Sequence, residues 1–365
     1  MGRAVNFGYV GCGFMAQKVH IPNFKSIPGC NFLALAELRS KLGRRVQERY
    51  KVPRLYSSHL ELAEDDEIEA VGISGGFHVQ GDIARDVLRA GKHVFVEKPM
   101  AVTLKQGEDI IDAAKEGGAR IMVGYMKRYD AGNLLAKDLV DRYRKSDELG
   151  RLLYCRNHGF CGDWVSGLDT PMENTDEPYP ERPPPPVPKW MSEDEYAKYV
   201  GYLQQYIHNI NLMRWFLNSS EGVKVRGVDL DEDGYTGITV FDMDGVRALL
   251  ESGGITYYRW DEHTQIYFQH GWVKTWAPPI LMKNATAEVE VYKGHDGQHE
   301  FLRPIPENRW SWSYRNEVEH FIESVADDKE FRSPGEDALI DIKLVEDVFR
   351  LHLKRHGGEN TGSAH

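Results

Sequence analysis

The sequence predicts an α/β protein in two parts: a parallel sheet with helices on both faces, then an α+β domain on a large open mixed sheet. Three observations carry this. Short apolar runs alternate with helical patterns through the first third of the chain, the signature of right-handed βαβ units. After about residue 126 the alternation gives way to a long proline-rich stretch, a long helix and several consecutive strands. At 365 residues the chain exceeds what one core ordinarily holds. The expected division is 1–126 and 127–365, with the C-terminal helix 336–354 packing back on the first domain.

In order, AVNFGYV reads as a strand, FMAQKVHIPNFKSI as a helix interrupted at Pro22, NFLALAE as a strand and SKLGRRVQERY as a helix. AVGIS is a buried strand, and HVFVE and RIMVGY are strands, separated by the helices VQGDIARDVLRAG and TLKQGEDIIDAAKEGG, each closed by glycine. AGNLLAKDLVDRYRKS is a helix and GRLLYCRNHGF a strand. In the next segment, Pro183 to Pro186 exclude a helix or central strand. SEDEYAKYVGYLQQYIHNINLMRWFL is a long helix, with Ser192 as cap and Glu195 completing a capping box. VKVRGVDL, GYTGITVFDM, VRALLESGG, QIYFQHGWVKTW and AEVEVYKG follow as strands, and RNEVEHFIESVAD and GEDALIDIKLVEDVFRLHLK as helices.

A net charge of -11 argues against nucleic acid as a partner. The apolar runs are strand-sized, far short of a membrane span. The N-terminus enters a strand at once, without a secretory apolar region, and Asn6 stands where a myristoylation signal needs Ser or Thr. Cys12, Cys30, Cys155 and Cys161 form no C-x-x-C pair and read as free thiols of a reducing cytoplasm. His263, His270, His295 and His299 show no ligand spacing, so no metal site is expected.

GYVGCGFMA sets Gly11 and Gly13 directly after the first strand, with Phe14 and Met15 leading to Ala16. Gly11 permits a tight turn, Gly13 lets the backbone approach a pyrophosphate, and small Ala16 allows close helix–strand packing. The following helix N-terminus offers N–H groups to phosphates. Glu37 ends the second strand, where a carboxylate meets the ribose hydroxyls and repels a 2′-phosphate. That favours NAD over NADP, although Arg39 and Lys41 are near enough to receive a phosphate. Further on, VEKPM places Glu97, Lys98 and Pro99 where a buried strand ends, at the edge where open α/β sheets bind ligands. Pro99 stops the ladder and suits a cis turn.

Taken together, GYVGCGFMA, LALAE, AGKHVFVEKPMA, MVGYMKRYDAGN, YIHNINLMRWFL and SPGEDALIDIKLVEDVFR resemble the glucose–fructose oxidoreductase / inositol dehydrogenase (Gfo/Idh/MocA) family, in order and over nearly the whole chain. The resemblance implies an N-terminal Rossmann dinucleotide-binding domain and a C-terminal domain whose open sheet forms a homodimer or homotetramer interface. It implies redox chemistry on a sugar or cyclitol carbon with NAD(P), with Lys98 beside the reacting oxygen and Glu97 helping to set its position. Family members often carry Asp-x-x-x-His on a pocket helix, with another Asp three residues on; here Gln204, His208 and Asn211 stand there, with Gln205 adjacent. Gln204 and His208 share a helix face. An amide orients a hydroxyl but moves no proton, which leaves His208 as general acid/base. The family's Thr-Pro-Asn loop is replaced by SGGFHVQGD, so Ser74, Gly75 and Gln80 are expected to border the cofactor. Lys127 and Tyr129 fall where the family has substrate contacts.

The loop 163–190 holds Trp164, Tyr179 and Trp190 among Asp163, Asp169, Glu173, Asp176, Glu177 and Glu181. It reads either as a lid over an aminated glycoside or as an arm on a neighbouring subunit. The resulting expectation is an NAD-dependent dehydrogenase acting on a secondary hydroxyl of a sugar, amino sugar, glycoside or cyclitol. Its rivals are an epimerase or glycosidase that retains NAD, and a non-catalytic sensor of NAD and sugar.

Overall fold

The structure, a computed structural model, describes residues 3–165, 171–181, 183–255, 260–295 and 297–356. Asp169 and the side chain of His295 lie outside the described residues. The chain forms two compact units. The first comprises Met1–Tyr125, Leu168–Pro186 and Tyr314–Ile342; the second comprises Met126–Gly167, Val187–Ser313 and Lys343–His365. Where the sequence suggested one boundary after residue 126, two later segments thus return to the first unit.

The first unit is built on six parallel strands: β1 (Val5–Val10), β2 (Cys30–Ala36), β3 (Arg54–Tyr56), β4 (Ala70–Ile73), β5 (His93–Glu97) and β6 (Ile121–Gly124). Their spatial order is β3-β2-β1-β4-β5-β6, so the chain direction of the winding reverses between β1 and β4, where doubly wound sheets bind ligands. The connecting helices are α1 (Ile21–Ser26), α2 (Ser40–Tyr50), α3 (His59–Ala63), α4 (Phe77–Arg89) and α5 (Leu104–Gly117). The short β3 and α3 were not anticipated. Pro22 lies in the first turn of α1, after a π-helical turn over Ala16–His20. The helix runs on through it: His20 and Ile21 keep helical backbone angles, the Ile21 N–H donates to the Ala16 carbonyl, and the wider π turn takes up the proline, which has no N–H to donate.

The second unit contains α6 (Ala131–Ser146), β7 (Leu152–Cys161), α7 (Glu193–Leu217), β8 (Lys224–Leu230), β9 (Gly237–Met243), β10 (Val246–Gly254), β11 (Asp261–Phe268), β12 (Gly271–Trp276), β13 (Glu288–His295) and β14 (Gln298–Leu302). The sheet runs β14-β13-β12-β11-β7-β10-β9-β8. It is mixed: β7 pairs parallel with β10 and antiparallel with β11. The stretch expected as one strand over 265–276 is a hairpin. Its turn is held because the N–H groups of Gln269 and His270 donate to the carbonyls of Arg151 and Leu149. Ser192 and Glu195 form the expected capping box of α7.

Two helices close the chain, α8 (Ser313–Ala326) and α9 (Gly335–Arg355). α8 returns to the first unit by burying Phe321 against Phe7, Phe24 and Phe95. The helix expected to pack back on the first domain does so only at its start: Leu339 and Ile342 lie against Gly107, whereas Phe349 packs on Tyr199 and Tyr202 in the second unit. Among the described residues, no helix is long and apolar enough to cross a membrane. All four cysteines are unbridged.

Candidate functional site

The glycine turn after β1 has the geometry of a phosphate cradle. Gly11 has φ +97°, and a Cβ there would lie 2.4 Å from the Ser74 carbonyl oxygen, so only glycine fits. A Cβ on Gly13 would meet nothing within 4 Å, which leaves its backbone open to a ligand. Phe14 and Met15 are half-buried where the turn enters the helix. Ser74 accepts a hydrogen bond from the Tyr9 hydroxyl at 2.9 Å. These residues fit a dinucleotide.

Glu37, at the end of β2, is buried. Its carboxylate accepts from the Cys12 N–H at 2.8 Å, the Arg39 N–H at 3.1 Å, and Arg39 Nε and Nη2 at 2.8 and 3.2 Å. Four contacts use the acceptor capacity of a carboxylate. Ribose hydroxyls therefore reach Glu37 only as the Arg39 fork gives way. Arg39, weighed from the sequence as a phosphate receptor, is here neutralised by Glu37.

Lys98 follows β5 on the same sheet edge. The Lys98–Pro99 peptide is cis. Glu97 Oε2 accepts from the Lys98 N–H at 3.1 Å, and Glu97 Oε1 lies 2.7 Å from His20 Nε2. Gln80, expected to border the cofactor, turns its Nε2 to the main-chain carbonyls of Glu97 and Pro99. It is fully buried, so its amide braces the turn that carries Lys98.

Behind this turn lies a group that histidine spacing could not reveal. Donor atoms of His20, Glu97 and Glu317 all fall within 4.8 Å of one another, and all three residues are buried. Such a set has the composition of a cation site. However, burial, reinforced by the charge of Glu97, holds the Glu317 carboxyl well above its ordinary value of 4.5. This favours the protonated acid over the carboxylate. A raised folded-state value means that the native state binds the proton that the unfolded state has released, so stability falls as pH rises above about 4.5. Glu317→Gln, a neutral isostere, is expected to flatten this fall, by up to about 1.4 kcal/mol per pH unit. Urea melts from pH 4.5 to 8 check this; parallel pH curves for both proteins would refute it.

In the second unit a 3-10 turn, Met126–Tyr129, leads into α6, which Asp130 caps through the N–H groups of Gly132 and Asn133. Lys127 is buried and ion-paired with buried Glu262 on β11. Asn209 on α7 donates to Glu262 at 2.9 Å and to Asn157 at 2.8 Å, and Asn157 donates to Thr264 at 2.7 Å. The charge of Lys127, which the sequence set among the substrate contacts, is thus answered inside the protein by Glu262. Arg128 Nε donates to Asn211 Oδ1 at 2.7 Å, so that position holds an amide serving a guanidinium. His208 is buried beside this network, and Tyr129 is fully buried. Gln204 and Gln205 are half-buried on α7, with Gln205 Nε2 2.8 Å from Cys161 Sγ.

The loop 163–190 does not act as one piece. Trp164 is half-buried in the second unit, and Trp190 there packs edge-on against Tyr199 and beneath Arg350. Residues 171–181 instead bind the first unit, with Glu173 paired to Arg49 and Asp176 to Lys41.

Residues 5–125 match the model of an oxidoreductase family with an NAD-binding Rossmann fold, GFO_IDH_MocA. The inositol 2-dehydrogenase of Salmonella typhimurium is 25% identical over 214 residues, which cover 58% of this chain and 54% of that protein. The match thus spans about half the length of that relative. The uncharacterized oxidoreductase YrbE of Bacillus subtilis is 21% identical over 93% of this chain and 92% of its own length. Among solved structures, KijD10, a 3-ketoreductase from Actinomadura kijaniata in complex with NADP and TDP-benzene, superposes with a TM-score of 0.70 at 19% identity, covering 95% of this chain and 97% of that one.

Proposed function

We propose, from the match of residues 5–125 to the model of the Gfo/Idh/MocA oxidoreductase family, that the chain is an NAD-dependent dehydrogenase that oxidises a secondary hydroxyl of a sugar or cyclitol. The single observation that carries this reading is the shared sheet edge. The Gly11–Gly13 turn follows β1 and Lys98 follows β5, strands separated only by β4 in one parallel sheet. A phosphate cradle and a cation thereby serve one ligand-binding edge.

When bound, the nicotinamide supplies the hydride acceptor. The Lys98 ammonium stabilises the alkoxide that develops as the hydroxyl loses its proton. His208 takes that proton, and Gln204, one turn earlier on α7, orients the hydroxyl. Of the carboxylates that suggested an aminated substrate, Glu173, Asp176 and Glu177 are engaged within the first unit. The proposed substrate is therefore a neutral polyol ring. The half-exposed face of the second sheet, bearing Trp272, Tyr292 and Phe301, is our choice of homo-oligomer surface. Unbridged thiols suit a cytoplasmic enzyme.

NADH formation on a panel of cyclitols, aldoses and glycosides tests the reading; turnover with none would overturn it. The cofactor preference has its own test, motivated by Glu37 at the end of β2. Glu37→Ala is expected to weaken NAD by on the order of tenfold or more, the scale of charge-assisted hydrogen bonds to the ribose. Calorimetry with both nucleotides decides it, and wild-type NADP affinity equal to that for NAD would end the assignment.

A further inference from the structure

Residues 171–181 form a strap stitched to the glycine-turn helix and to α2. Gln17 donates to the Glu173 carbonyl at 3.0 Å and accepts from its N–H at 2.8 Å. Arg45 donates to the Asn174 carbonyl at 2.6 Å, and the Arg39 guanidinium lies 4.2 Å from the centre of the Tyr179 ring. These anchors deliver the Glu177 carboxylate to the start of α2. There it accepts from the N–H groups of Lys41 and Leu42, each at 2.9 Å, and from Ser40 Oγ at 3.3 Å. Asp176 meets Lys41 Nζ at 3.5 Å.

The groups thus occupied are a hydroxyl, two backbone N–H donors, an ammonium and, through Glu37, a guanidinium. They are the donors a phosphate monoester requires. They directly follow the strand-end carboxylate, where this fold places the adenosine ribose and, in NADP enzymes, its 2′-phosphate. We propose that Glu177 is a cofactor-specificity residue: the strap inserts it as an internal carboxylate in the place of a 2′-phosphate, so that the chain excludes NADP. The inference rests on the dinucleotide reading above and assigns discrimination to a segment more than a hundred residues from the glycine turn. Two mechanisms then act together. Glu37 disfavours the extra phosphate from the strand end, and Glu177 withholds the donors that would bind it.

The test is calorimetric binding of NAD and NADP to the full chain, with no turnover required. The proteins are wild type, Glu177→Ala, Glu177→Gln and, as control, Glu181→Ala, an exposed strap residue. Glu177→Ala is expected to raise NADP affinity relative to NAD by roughly tenfold or more, the scale of one charge-assisted hydrogen bond. Glu177→Gln should shift the ratio less, and Glu181→Ala should leave it unchanged. Thermal melts report whether each variant is folded. A Glu177→Ala protein with the wild-type NADP-to-NAD ratio overturns the inference, including when both affinities fall together, since that marks the strap as structural only. Wild type that binds neither nucleotide overturns the dinucleotide reading itself.

Discussion

Lys98→Ala is expected to lose nearly all turnover while keeping nucleotide affinity and thermal stability. The motivation is the way the turn is built. The main chain at Lys98 is fixed on two sides, by the Glu97 carboxylate on the Lys98 N–H and by the Gln80 amide on the carbonyls of Glu97 and Pro99. None of these contacts uses the lysine ammonium, so truncating the side chain leaves them intact. The loss should therefore fall on the chemical step. Removing one preorganised group that stabilises a developing oxyanion costs roughly 10²–10³ in kcat. Reduced kcat with an unchanged NAD dissociation constant is the result that fits. A variant that turns over at the wild-type rate would show the lysine to be an ordinary surface charge.

The periodicity of the chain made the parallel sheet, the order of its helices and the capping box of α7 legible, because these depend on local spacing. What escaped depends on where distant segments meet. The three residues of β3 carry too little pattern to register. The hairpin at 268–271 lacks an Asn-Gly or Asp-Gly pair; its turn is held by carbonyls of Leu149 and Arg151, which no local rule supplies. The strap is a sharper case. Glu177 binds backbone N–H groups of α2, and backbone donors leave no residue-type signature, so the acids of that loop looked free to meet a substrate. Lys127 likewise looked available until its partner on β11 was in place. A signal did exist for that partner: Glu262 stands in alternation with Thr264, Ile266 and Phe268, all buried on one face of β11. An acid on the apolar side of a strand asks for a buried cation. Gln80 gave no such warning, since an amide serves a ligand or a main chain equally well.

His208→Asn is expected to remove one ionisation from the pH profile of kcat/KM and to lower the rate by on the order of 10²–10⁴. The observation behind this is the composition of α7 around the histidine. His208 is buried, Gln204 lies one turn earlier, Asn209 is held by Glu262 and Asn157, and Asn211 takes the Nε donor of Arg128. Amides at 204, 209 and 211 can orient groups but cannot accept the substrate proton. Among the α7 residues proposed to meet substrate, that leaves the imidazole, whose ordinary titration range straddles roughly pH 6–7. Gln204→Ala should cost far less and act mainly on KM, because an orienting amide holds ground state and transition state alike. Gln204→Asp sets an anion one helical turn from the imidazole; it favours the imidazolium, so the apparent ionisation should move to higher pH. This shift separates proton transfer from a structural role, which a change at 204 would not move along the pH axis. The measurement is the pH–rate profile of kcat/KM for wild type and the three variants. If His208→Asn leaves the profile unchanged, the histidine drops out of the mechanism, and Lys98 becomes the group that must carry the proton.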